Sequence, residues 1–153
     1  MLLNGLQGRG SHVTPVNVFE DLDWRFAGKI PDGNVRSIWQ IVDHMIYWQE
    51  FSLALLRGET PENPEHAADS WTTQVSPTNE SEWNHAVNAF LEGIRAAEGF
   101  TDDLDQSVSA RQGRSRAEVI GMLVGHNSYH LGQVVLIRRM LGAWPPPSGG
   151  DTW

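Results

Sequence analysis

The chain has 153 residues, 40% of them hydrophobic, enough for one domain with a core of its own and too little for two ordinary ones. It contains no cysteine, which excludes disulfides, thiolate metal sites and cysteine nucleophiles together and leaves only nitrogen and oxygen ligands for a metal. A formal net charge of -8 opposes a phosphate backbone, no apolar run approaches the roughly 20 residues of a bilayer span, and the Met1 end lacks the pattern of a signal peptide, so a cytoplasmic protein with no nucleic-acid and no membrane partner is expected.

Apolar residues recur at helical rather than strand spacing, and clusters of Pro and Gly at 31–33, 58–64 and 142–150 mark connections. Thr14 followed by Pro15 is a helix start, and Val16, Phe19, Leu22, Trp24 and Phe26 supply anchors for a broken first helix. The second helix is expected from Val35 to Arg57, capped by Asn34 and stopped by Gly58, with Ile41, His44, Trp48, Phe51 and Leu55 on one face. Residues 59–77 are long for a bundle connection, which usually takes ~2 to 8 residues, so this segment should wrap over the surface or over a site, with Trp71 pinning it. A third helix starts at Asn79, where Asn79 and Glu82 resemble a capping box, carries Trp83, Val87, Phe90, Ile94 and Ala97, and ends near Gly99. The last runs from Ser115, boxed with Glu118, to Leu141 before Gly142 and Pro145. Its stripe is Val119, Leu123, His126, His130, Gln133, Ile137 and Met140. The expected fold is an all-α four-helix bundle in a single domain.

Three histidines thus occupy positions where a bundle would place leucine. His126 and His130 stand one helical turn apart, near enough for both imidazoles to reach one ion, and His44 closes the triangle from another helix. Each buried, uncompensated polar group costs ~1 to 3 kcal/mol, and one shared metal offsets all three costs. A histidine bonded to a backbone carbonyl would offset its cost singly. Three neutral nitrogens plus one open position match a catalytic zinc site rather than a structural one, and such a site brings the pKa of water down to ~7 or activates a thiolate. His66 and His85 fall off the stripes and read as solvated, while His12 lies in a loop near the mouth of the bundle and is a weak fourth ligand. Gln133, one turn beyond His130, is placed to orient a histidine or bond a water from the second shell, or else is a glutamine at the edge of the core. Asp43, Tyr47 and Tyr129 adjoin ligand positions only in sequence, and Glu50 reads as a solvated carboxylate.

A second stripe of small residues, Gly121, Gly125, Ser128 and Gly132, implies close approach of another backbone, since each helix-interior glycine costs ~1 kcal/mol relative to alanine. Leu131, Val134, Val135 and Leu136 make the same helix apolar over more of its circumference than one core requires. Burial against a second copy accounts for both, so a homodimer is expected, with close packing inside one chain as the alternative.

Residues 37–48, Ser-Ile-Trp-Gln-Ile-Val-Asp-His-Met-Ile-Tyr-Trp, and 125–133, Gly-His-Asn-Ser-Tyr-His-Leu-Gly-Gln, followed by Arg138-Arg139-Met140-Leu141-Gly142, resemble the second and last helices of the DinB-like (DinB/YfiT) superfamily of bacterial metalloproteins. Gly10-Ser11-His12 and residues 22–31 are similar to members as well. The resemblance implies a four-helix bundle, often a homodimer, with zinc or nickel held by the residues at His44, His126 and His130. It also implies a range of activities: transferases and isomerases that use low-molecular-weight thiols, a metal-dependent hydrolase, and members with no assigned activity. A shared fold does not select among these. The expected function is therefore a metal-dependent enzyme that activates a low-molecular-weight thiol or water toward a small-molecule substrate; the alternative is a noncatalytic metal-binding or stress-associated interaction protein.

Overall fold

A computed structural model describes residues 1–108 and 113–150. They form three long helices, α4 (Ile38–Leu56), α5 (Glu80–Glu98) and α6 (Arg116–Met140). Three short ones precede them, α1 (Leu2–Leu6), α2 (Pro15–Phe19) and α3 (Trp24–Ala27). A 3-10 turn at Ala67–Ser70 interrupts the connection from α4 to α5. An antiparallel pairing of β1 (Ser107–Val108) with β2 (Arg114–Ser115) leads into α6, a feature that helical periodicity does not reveal. The architecture is mostly helical, and no helix among the described residues is long and apolar enough to cross a membrane.

Caps set the long helices. Ser37, not Asn34, opens α4: its side chain accepts from Gln40 N–H while the Gln40 side chain accepts from Ser37 N–H, satisfying two orphan donors at once. Asn34 bonds instead to its neighbours, Val35 N–H and Arg36 C=O, and makes a turn. At the other end Gly58, at φ 84, donates to Leu55 C=O, and Glu59 donates to Ala54 C=O. This six-to-one and five-to-two pair needs a left-handed residue. Ser115 and Glu118 form a full box on α6. The box expected at Asn79 is half made: Asn79 accepts from Glu82 N–H, but the Glu82 carboxylate turns to Thr78 N–H and Oγ1.

The first helix does not form as one rod. Thr14 caps α2 as expected, but the chain bends at Asp21, at φ 53, and Asp23 caps a separate α3. The helix α1 carries only five residues and no side-chain cap, too little pattern to read in advance. These segments cover the long helices: α1 and α2 pack on both α5 and α6, while α4 packs along both α5 and α6. Phe19, Trp83 and Phe90 meet edge to face, with Phe19 5.8 Å from Phe90 and 6.1 Å from Trp83.

Close approaches occur where the small-residue stripe did not place them. A Cβ on Gly93 would lie 1.9 Å from Gln49 Nε2, and one on Gly28 would lie 2.1 Å from Ser76 Cβ. Among the described residues, nothing stands within 4 Å of a Cβ built on Gly121, Gly125 or Gly132. Packing among the described residues therefore does not explain these glycines. Leu131 and Val134 are buried within the chain, which removes part of the apparent surplus on α6. Met122, Tyr129 and Leu136 stay exposed. Met140 also leaves the core stripe, at 50% exposure, and Arg138 is buried in its vicinity at 2%. Its guanidinium donates to Val18 C=O and Ala143 C=O, a capture by two backbone acceptors that hydropathy cannot anticipate.

Candidate metal centre

The imidazoles of His44, His126 and His130 converge between α4 and α6, with one ligand nitrogen from each within 4.8 Å of the others. No other group of three or more potential ligands is so placed among the described residues. His44 and His130 are buried and His126 is half-buried.

The ring orientations follow from what each Nδ1 meets. His44 Nδ1 lies 2.9 Å from Ser70 C=O, which can only accept, so Nδ1 carries the proton and Nε2 keeps its lone pair. His130 Nδ1 lies 2.7 Å from Gln133 Oε1, and the same logic frees its Nε2. Gln133, one turn beyond His130, thus touches a ring of the triad directly. The Nε2 atoms of His44 and His126 are 3.3 Å apart. Two nitrogens bonded to one tetrahedral ion at about 2.0–2.1 Å stand about 3.3–3.4 Å apart, so this pair fits a shared cation without adjustment. His126 Nδ1 is buried, with no well-aligned hydrogen bond among the described residues.

The connection after α4 does wrap over this site. Ser37, Gln40 and His44, spaced three and four residues on α4, donate in turn to the carbonyls of Val75, Thr72 and Ser70. One helical face thereby holds an antiparallel run of backbone. Trp71 lies flat on His44, with ring centroids 3.7 Å apart and planes 6° from parallel, and its edge approaches His130 at 5.8 Å. The Arg36 guanidinium stands over the Trp71 ring at 4.6 Å. The Ser70 carbonyl is the contribution that sequence reasoning missed; a backbone acceptor leaves no side-chain signal.

His12 is not among the converging nitrogens. Its Nε2 bonds Ser128 Oγ at 2.9 Å and its Nδ1 bonds Val13 C=O at 2.8 Å, so it ties the N-terminal segment to the small-residue stripe of α6. His66 and His85 are exposed, as is Glu50. Asp43 is half-buried near Thr72, and burial raises its carboxyl above the ordinary range. Tyr47 sits against Trp48, while Tyr129 places its ring 5.0 Å from His130 yet remains 66% exposed.

Burial drives all three imidazoles toward the neutral form. It pushes His126 from an ordinary 6.5 down to about 4, with His130 and His44 adding to the effect. Burial also lowers His44 against the opposing pull of Ser70 C=O, and His130 against that of Gln133. Between pH 6.5 and 4 the unfolded chain then binds protons that the folded one refuses, so stability falls as pH drops through that window. Thermal melts of metal-free protein should show this loss, and a His126→Asn variant should lose less over the same range; equal pH slopes would contradict it.

Comparison with curated proteins and with solved structures finds no match. The family model of the DinB superfamily matches residues 16–134, a span that contains His44, His126, His130 and Gln133, and the chain belongs to the DinB superfamily.

Proposed function

We propose that His44, His126 and His130 hold one divalent ion, zinc or nickel, and that the protein is a metal-dependent enzyme acting on a small molecule. The observation that carries this reading is the orientation of the triad: two Nδ1 protons are taken by Ser70 C=O and Gln133 Oε1, and one ligand nitrogen from each of the three rings lies within 4.8 Å of the other two. A divalent ion bound there supplies Lewis acidity, which makes a low-molecular-weight thiol or a water nucleophilic at neutral pH. Three protein donors leave a coordination position for that nucleophile. The chain's own residues do the rest: Ser70 and Gln133 fix imidazole orientation, burial keeps the rings unprotonated, and Trp71 walls the site from solvent on the His44 side. Thiol transfer is preferred over hydrolysis, in line with the thiol-dependent members that the resemblance brings in.

Metal analysis of protein purified without added metal, followed by thiol-consumption assays with electrophilic substrates, tests the reading. One ion per chain and turnover that chelation abolishes are expected. Bound metal with no turnover across broad thiol and hydrolysis panels would replace the enzyme with a noncatalytic metal-binding protein. Gln133→Leu should weaken metal binding about 10–100-fold while leaving the fold intact, the usual cost of removing a ligand's orienting partner. Unchanged affinity would return Gln133 to a packing role.

The same reading extends to the assembly and setting. The three short N-terminal helices stand for the fragmented fourth rod of a DinB-type bundle in a single cytoplasmic domain, without nucleic-acid or membrane partners. A homodimer forms across the open face of α6, where Met122, Gly125, Tyr129, Gly132 and Leu136 follow one another at steps of three and four residues and stay exposed. Light scattering should give twice the chain mass, and Gly125→Leu should give the monomer with no loss of helicity, because none of the described residues occupies the space around Gly125. A wild-type monomer would remove the dimer.

A further inference from the structure

On the side of α5 that faces α1 and α2, a cavity of about 370 Å³ is lined by Arg9, Arg95 and Glu98 together with the apolar Pro15, Val16, Leu91 and Ile94. Its volume lies within the range of small-molecule pockets, which are apolar with a few convergent polar groups. Its residues include none of the three metal-centre histidines.

Arg9 and Arg95 are both exposed at the cavity's rim. The protein carries 19 acidic and 11 basic side chains, so an arginine has carboxylates to spare. Neither Arg9 nor Arg95 forms an ion pair among the described residues. A carboxylate is even present in the same cavity, on Glu98, but it accepts from Gln7 Nε2 at 2.8 Å instead of meeting either guanidinium. Thr14 is likewise occupied, since its hydroxyl caps α2. Among the described residues, the two guanidiniums are thus the cavity's cationic donors without an ion pair. Guanidinium matches the planar fork of a carboxylate or phosphate, and apolar surface beside it favours an alkyl or aryl body. The net charge of -8 repels anions from the rest of the surface, so an anion that binds here is drawn by this local pair.

We propose that this cavity binds a small amphipathic anion, its carboxylate or phosphate head on Arg9 and Arg95 and its apolar body on Leu91, Ile94, Pro15 and Val16. The site is separate from the metal centre and does not depend on it.

Octyl compounds that differ only in the head group isolate the charge. Octanoate, octyl phosphate, octanol and octylammonium would each be titrated below their aggregation concentrations into ¹⁵N-labelled full-length protein, following the amides of residues 91–98. The anions should give saturable shifts, and the alcohol and the ammonium should bind about tenfold more weakly or not at all. Arg9→Gln and Arg95→Gln should each weaken octanoate about tenfold, with the double variant losing saturation. Stronger binding of octyl phosphate assigns the head as phosphate, and stronger binding of octanoate as carboxylate. His44→Ala should bind octanoate as well as wild type, which separates this site from the fate of the metal reading. Binding that ignores the head group, or that survives in the double arginine variant, overturns the proposal.

Discussion

His130→Ala should cost more metal affinity than any single change outside the triad. Removing Gln133, which only orients a ligand, is worth about 10–100-fold, so removing the donor nitrogen itself should exceed that and approach a thousandfold. The substitution also strands Gln133 Oε1, whose 2.7 Å partner disappears. Competition against a chromogenic chelator measures the affinity directly, and melting reports it independently. A ligand at a hundred times its Kd stabilises the native state by about 2.7 kcal/mol, and in a chain of this size each kcal/mol moves Tm by about 2–4 °C. Added zinc or nickel should therefore raise the wild-type Tm by roughly 5–10 °C and leave His130→Ala nearly unmoved. His85→Ala, on an exposed position of α5, serves as the control and should behave as wild type. Equal stoichiometry and affinity in His130→Ala would end the metal assignment, while the fold would stand.

Phe90→Ala should produce the largest loss of stability, and by a different route. Phe90 is fully buried, stacks edge-on against Phe19, and lies where α5 meets α2 and α4. Its own carbonyl accepts from the buried Gln49 side chain at 3.0 Å, so relaxation around a vacated ring is constrained on two sides. Truncation of a buried phenylalanine costs about 3–5 kcal/mol through lost transfer energy and the cavity left behind. The corresponding fall in Tm is roughly 6–20 °C. Urea denaturation checks the free energy, and a loss below about 1 kcal/mol would show that the core closes over the gap more readily than this packing allows. Metal affinity measured well below the melting range should be unchanged, because Phe90 touches none of the three histidines. The two variants thus separate cleanly: one loses the ion and keeps the fold, the other the reverse.

The histidines stood out in the sequence because each broke an apolar period, and an imidazole at a core position needs a partner. Gln133 was legible for the same reason, one turn further along. Helix ends at Gly58, Ser115 and Gly142 were legible because capping is local chemistry, and the Ser37-x-x-Gln40 box, three residues after Asn34, is just as local. The small-residue stripe on α6 promised a close neighbour that the described residues do not supply, whereas Gly93 and Gly28, which do make room for Gln49 and Ser76, carried no pattern. A glycine's role depends on what stands opposite it, and that neighbour is fixed by three-dimensional packing.

By itself, the sequence determined the helical class, the long helices and the three imidazoles directed inward, since periodicity and capping act over a few residues. The tertiary structure alone decided how the His44 imidazole is oriented. Ser70 C=O and Trp71 reach His44 from 26 and 27 positions away, and Arg138 finds Val18 C=O across 120. Such partners are brought together only when the chain packs, because hydrogen bonds and ring stacking act at contact distance and leave no periodic trace.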